Sequence, residues 1–264
     1  MADAVPNHSP RISLIIPCWR DTSEALRLAH RWSGDPRIHE VILATVAGAS
    51  IAAGDGKIKI CAAPRPGRGE QLNYGAARAG GEILLFHHVD SELTGPHLEA
   101  LIQVMRNPAI QGGAFYRKFD ERHPFLLWAE GIERWHSRTF GALYGDQSIF
   151  VRRERFVTLG GFAPIPLMED VEFSLRLRRS SRIALLDPPM SSSPARQIEQ
   201  GAWRTTMRNM LFLVLFRCGV PADFLHRWYY RRSRNEDAPK GNQPADNNRY
   251  GTKVLTPIER DHGV

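Results

Sequence analysis

Leu84-Leu85-Phe86 runs straight into His87-His88-Val89-Asp90-Ser91-Glu92. Polar groups at the end of an apolar run are costly to bury unless they hold something. Read as a strand from Glu82 to His88, the segment turns successive side chains to opposite faces. His88 and Asp90 then share a face, and His87 points away. One imidazole and one carboxylate suit Mn2+ or Mg2+ as two of its ligands, with water and phosphate oxygens supplying the rest. A cap from Asp90 or Ser91 to the next helix explains the same letters equally well.

Three further groupings could do chemistry. Arg65-Pro66-Gly67-Arg68-Gly69-Glu70-Gln71-Leu72-Asn73 joins arginines and glycines to a helix start, where exposed N–H groups and guanidinium forks favour phosphate. A solvated Gly/Pro turn accounts for it as readily. Glu169-Asp170 and Glu172 open another helix; acids belong there because they complement the dipole, and a carboxylate there could also act as a general base. Ser191 to Arg196, with Arg204 beyond, places basic groups after the last strand, where they could neutralise a leaving diphosphate or form a solvated face.

These residues need a scaffold. Ile12 to Pro17, Glu40 to Val46, Lys57 to Ala62 and Glu82 to His88 read as buried strands. Helices are expected between them, from Thr22 with Leu26, Leu28, Ala29 and Trp32 inward, and over residues 69–79. Further helices are expected near 96–105, 124–140, from Glu169 and over 199–218. Strands are expected near 113–119, 147–152 and 182–186. The alternation predicts an α/β fold with a mainly parallel sheet, whose ligands bind beyond the carboxyl ends of the strands. Residues 1–10 read as a disordered lead-in, 11–220 as one domain, and 221–264 as a basic, largely disordered tail.

The 264 residues carry a net charge of +7, which favours anionic partners: nucleotide phosphates, nucleic acid or an acidic membrane surface. Arginines spread over many segments argue against a nucleic-acid recognition element. Cys18, Cys61 and Cys218 show no zinc spacing and fit a reduced, cytoplasmic protein. The N-terminus has no apolar signal region, and no apolar run approaches a membrane span.

Taken in order, several motifs resemble the family 2 glycosyltransferases. They are Pro17-Cys18 ending strand one, Arg68-Gly69 with Asn73-Tyr74-Gly75 on a helix, an acid-ended fourth strand, Gly160-Gly161-Phe162, and Glu169-Asp170. Gly145-Asp146-Gln147, Ile149 to Arg153 and Leu167 to Arg179 resemble the small bacterial branch of that family. The resemblance spans residues 12 to 220. It implies a GT-A fold with helices flanking the sheet and a C-terminal helical extension. It also implies a nucleotide-sugar donor, a divalent metal and inverting transfer to an acceptor hydroxyl. Residue by residue, it implies Asp170 as base with Glu169 beside it, and Asp90 and His88 at the metal. Pro17, Arg68, Asn73, Asp90, Arg196 and Arg204 would then serve the donor.

The sequence departs from the pattern where His88 replaces the first acid of the metal motif. It departs again where strand two ends in Ala44-Thr45-Val46-Ala47 without an acid. Gln200 is followed by Gly201-Ala202-Trp203-Arg204 and not by the processive motif, which favours a single transfer. A domain with weakened catalysis, a sugar-nucleotide pyrophosphorylase and a basic nucleic-acid binder stay open as alternatives. Met210 to Phe216, Phe224 and Arg227 to Arg232 combine apolar, aromatic and basic residues. They suit peripheral contact with an anionic membrane and, with it, a lipid-linked acceptor; a helix packing on the core with a basic end accounts for them equally well.

Overall fold

The computed structural model describes residues 9–18, 22–46, 56–119, 124–192 and 202–236. Residues Met1–His226 form one compact unit. Of a second, Arg227–Val264, the described residues are the helical 227–236.

The strands are β1 (Ile12–Pro17), β2 (Ile38–Val46), β3 (Ile58–Ala63), β4 (Ile83–Phe86), β5 (Ser91–Glu92), β6 (Ile110–Phe119), β7 (Phe150–Arg152) and β8 (Arg182–Ser192). The helices are α1 (Thr22–Ser33), α2 (Arg68–Ala76), α3 (Gly95–Met105), α4 (Pro124–Phe140), α5 (Arg153–Thr158), α6 (Glu169–Ser180), α7 (Ala202–Arg217) and α8 (Ala222–Glu236).

One eight-stranded sheet has the order β3-β2-β1-β4-β7-β6-β8-β5. β1 pairs in parallel with β2 and β4, and β2 with β3; β6 pairs in parallel with β8. β7 is antiparallel to both β4 and β6, and β5 to β8. Six strands therefore run one way and two the other, the mainly parallel sheet expected.

The central strands are apolar on both faces because helices cover both. Ile12, Leu14 and Ile16 pack with Leu28, Leu98 and Leu101 of α1 and α3. Ile15 turns the other way, to Leu72, Phe173 and Leu177 of α2 and α6. In α1 the buried residues are Ala25, Leu28, Ala29 and Trp32, so Ala25 takes the inner position expected of Leu26.

Several elements differ from expectation: β5 and α5 were not expected, β7 is shorter than the strand expected over 147–152, and three further differences bear on the site and the tail. β4 stops at Phe86, two residues early: the His87 amide still donates to Ile15 O of β1 at 2.9 Å, and the chain then turns, the Ser91 amide donating to His88 O at 3.2 Å. β8 runs on to Ser192, where β5 pairs with it. α8 occupies residues 222–236, the start of the segment expected to lack structure. Its apolar Leu225 is fully buried, which anchors a helix whose composition otherwise reads as solvated. The rest of that tail, and the N-terminal lead-in up to residue 8, lie outside the described residues. Among the described residues no helix is long and apolar enough to cross a membrane.

Candidate active site

The parallel strands β1 and β4 end side by side, and a small pocket opens there. It is lined by Pro17, Arg68, Phe86, His87, Gly145 and Asp170, with Leu72, Ile149 and Phe162 behind. Its volume is about 10 Å3, the space of one water.

Arg68 narrows it. The residue begins α2 directly after Gly67, whose φ of 139° only glycine adopts readily. Its guanidinium lies against Gly145, where any Cβ would overlap Nη2. Nη1 stands 3.7 Å from Glu169 and 3.6 Å from Asp170. Both distances exceed hydrogen-bond range, and the buried Nε has no hydrogen-bond partner.

Asp170 is held firmly. Its Oδ2 accepts the Gly145 amide at 2.7 Å, and its Oδ1 accepts the Val171 amide at 2.7 Å. Glu169, one residue earlier, is buried and does not line the pocket. Burial pushes its carboxyl up, Asp170 adds to the rise, and Arg68 opposes it. The two acids are therefore unequal: Asp170 faces the pocket and Glu169 backs Arg68.

Behind Gly145 lies a network with no local sequence signature. Arg117 of β6 donates to Asp146 at 2.7 Å and to Glu133 of α4. Gln147 donates to Glu133 at 3.0 Å and accepts the Tyr144 amide at 3.0 Å. Burial opposes the charge on Arg117, but Asp146 and Glu133 hold its pKa above the ordinary arginine value. Burial likewise raises the Glu133 carboxyl, against Arg117. Gly145-Asp146-Gln147 stood out in the sequence, but its partners Arg117 and Glu133 did not, because they come from a strand and a helix far apart in the chain.

Strand alternation fails at the histidines. Because β4 ends at Phe86, His87 lines the pocket and its Nδ1 lies 2.7 Å from Ser148 Oγ. This corrects the expectation that His87 points away. His88 and Asp90 do meet, but across a turn: Nδ1 accepts the Asp90 amide at 3.3 Å and lies 3.4 Å from Asp90 Oδ2. Neither lines the pocket. Ser91 ties their turn to the site by donating to Asp146 O at 2.9 Å.

Asn73 is not brought to the pocket. Its amide donates to Phe162 O at 2.8 Å and accepts the Phe162 N–H at 2.9 Å, locking the Gly160-Gly161-Phe162 turn. Gly161 is required there, since its φ is +70° and a Cβ would come within 2.5 Å of Asn73 Oδ1. Arg196 lies outside the described residues, as does the side chain of Arg204 on α7.

Burial, helped by His88 and His97, lowers the His87 pKa from 6.5 to about 3. The folded protein then binds fewer protons than the unfolded chain across that window. The stability contributed by a neutral His87 is present above pH 6.5 and is lost as pH falls toward 3. In urea titrations, His87→Gln should lose less stability between those pH values than the parent. Equal acid limbs would mean the ring is not held neutral.

Among the described residues, no three His, Cys, Asp or Glu side chains cluster closely enough to hold a metal on their own. The His88–Asp90 pair offers one imidazole nitrogen and one carboxylate, donor types that fit Mn2+ or Mg2+ when a ligand's oxygens complete the shell.

Residues 42–156 match the family described as Glycosyl transferase family 2. Among curated proteins, none matches the chain in sequence. Solved structures of similar fold include the mannosyltransferase PcManGT from Pyrobaculum calidifontis, in complex with GDP-Man and Mn2+. Its TM-score is 0.55 at 19% identity, over 85% of this chain and 70% of that one. TarS 1-349 of S. aureus gives 0.55 at 15% identity, over 78% and 65%. Glucosyl-3-phosphoglycerate synthase from Mycobacterium tuberculosis, in complex with Mn2+, UDP and phosphoglyceric acid, gives 0.54 at 19% identity, over 80% of each chain. The sheet shared with these enzymes gives the chain a GT-A fold, and within it residues 42–156 are similar to family 2 glycosyltransferases.

Proposed function

We propose that the protein transfers one sugar from a nucleotide-sugar donor to an acceptor hydroxyl, with inversion at the anomeric carbon. The observation that carries this reading is Arg68. A guanidinium at a pocket wall, with a buried Nε lacking a partner and two long contacts to carboxylates, is arranged for an anion. A donor diphosphate is such an anion, and GDP-Man and UDP accompany the similar structures above.

In this reading Arg68 moves from the carboxylates to the diphosphate, which leaves Asp170 to accept the proton of the attacking hydroxyl. The Gly145 and Val171 amides keep its carboxylate fixed during the attack. Attack from the side of Asp170, opposite the departing diphosphate, gives inversion. Pro17 and Phe86 keep water from the reacting face. His88 and Asp90 are the residues that would hold Mn2+ or Mg2+, which when bound neutralises charge developing on the leaving diphosphate. The acceptor hydroxyl is carried on a lipid in the same reading, because α7 exposes Leu211 and Val214 and the next helix exposes Phe224. The protein then works at the inner face of the membrane.

A thermal-shift series with UDP-, GDP- and dTDP-sugars, with and without Mn2+, tests the donor. At a hundredfold excess over Kd one of them should raise Tm by about 5–10 °C, and Arg68→Met should abolish the rise. A folded protein that responds to none of them would overturn the reading.

A further inference from the structure

Helix α4 carries buried polar groups and exposed tryptophans among its described side chains. A surface helix ordinarily turns its apolar stripe to the core and its polar face to water. Among its described side chains, three polar ones turn inward: Glu133 binds Arg117 and Gln147, His136 Nδ1 lies 3.4 Å from the Tyr144 hydroxyl, and Ser137 is fully buried. The exposed positions mix large apolar side chains with arginines, Arg134 and Arg138 among them. Leu127 is 44% exposed, Trp128 48% and Trp135 59%. Trp128 and Trp135 are seven residues apart, so they stand two turns apart on one stripe.

Basic groups continue that face. Arg138, one turn beyond Trp135, lines a groove of about 550 Å3 together with Tyr116, Arg178, Ser181, Arg182 and Leu185. Among the described residues no carboxylate lines it. Arg178 donates to the carbonyls of Arg138 and Thr139 at the end of α4, at 3.0 and 3.1 Å. Arg134 stacks on Tyr116 and pairs with Asp187. Arg138 and Arg182 have no ion pair among the described residues.

We propose that this face, the outer stripe of α4 with the arginine groove beside it, docks on an anionic lipid bilayer. Exposed tryptophans beside arginines are what the headgroup layer selects: the rings sit at the apolar boundary and the guanidinium groups meet phosphates. A second copy of this chain is the poorer occupant, since two such faces bring unpaired arginines together on a chain of net charge +7. The surface is distinct from the α7 stretch invoked for a lipid acceptor. It deepens that reading, because the helix that meets the membrane is the one whose inner side anchors the turn at Gly145. Lipid docking and the placement of Asp170 are thereby carried by opposite faces of a single helix.

Flotation of the full chain with vesicles tests this without any transfer reaction. Wild-type protein should float with phosphatidylcholine vesicles containing roughly one-third phosphatidylglycerol, and much less with phosphatidylcholine alone. Trp128→Ser/Trp135→Ser should lower partitioning by about tenfold or more. Arg138→Glu/Arg182→Glu should lower it at least as much, since each arginine near the surface contributes about fivefold. Val157→Ser, which removes an exposed apolar side chain on α5 away from this face, should leave partitioning unchanged. Unchanged melting temperatures verify that the variants fold.

The proposal is overturned if wild-type protein does not float, or if both α4 variants float like wild type. It is equally overturned if light scattering shows a dimer that the tryptophan variant dissolves. Flotation lost in the α4 variants supports the docking face even where no nucleotide sugar shifts Tm, so the two readings fail separately.

Discussion

Asp170→Asn is expected to lower sugar transfer by about 10²–10⁴-fold while donor binding persists. The carboxylate lines the pocket, and both oxygens are already oriented by backbone amides of Gly145 and Val171. An asparagine keeps the shape but has one acceptor oxygen, so one of those amides loses its partner, at a cost of about 1–3 kcal/mol. Donor-induced stabilisation should survive, because Arg68 remains and loses a competing contact. Glu169→Gln supplies the contrast. Glu169 is buried behind Arg68 and outside the pocket, so its amide should leave the rate within about tenfold of the parent. Rate measurements at saturating donor, with the thermal shift measured alongside, separate the two acids. Transfer near the wild-type rate in Asp170→Asn would remove Asp170 from the proposed chemistry.

The largest effect on stability should come from Arg117→Leu. This arginine faces Glu133 and Asp146 together, and removing it strands two carboxylates in a poorly solvated site. Breaking a buried pair of this kind costs about 3–5 kcal/mol. The loss should be greatest at neutral pH. Burial already raises the Glu133 carboxyl above its ordinary value, and without Arg117 it rises further. A raised carboxyl contributes stability that is present below its ordinary pKa and is lost as pH climbs through the raised one. The Arg117→Leu deficit should therefore shrink as pH is lowered. Arg117→Leu/Glu133→Leu should recover part of the loss, because an apolar pair of similar volume needs no compensation. A urea midpoint for Arg117→Leu within experimental error of wild type would contradict this account. Since the same network fixes the turn at Gly145, the variant should also lose transfer activity under conditions where it is still folded.

The strands were legible in the sequence because Ile12 to Ile16, Ser13 apart, and Val41 to Ala44 are apolar, a pattern that survives translation into burial. The order of motifs was legible too, since Pro17, Arg68 and Asp170 do converge on one pocket. What local pattern could not supply was the end of β4. Two more letters of apparent strand turned the logic of alternation around, so that His87 was excluded where it is in fact a wall of the pocket. Asn73 shows a second limit: its place beside Arg68 on α2 suggested a ligand contact, whereas its amide closes a turn 89 residues away. Arg117 and Glu133 carry no signal at all in spacing. Their meaning lies in burial, which a sequence read segment by segment does not contain. Helix α8 was hidden for the opposite reason, because its arginines outweigh its one fully buried leucine.

The reversed strand β7 has a bearing on how the chain assembles. It is three residues long, and it stands between β4 and β6, joining a first block of parallel strands to a second. The first block, β1 to β4, can pair as soon as residue 86 has been made. The second cannot be joined to it until Phe150 and Val151 arrive, some 64 residues later by number, and slide into a gap where both are fully buried. Such a late, non-local closure slows folding and leaves the open flank of β4 exposed to wrong partners meanwhile. The turn at Gly145 directly precedes this seam. Completion of the sheet and completion of the site are thus one event in the life of a nascent chain.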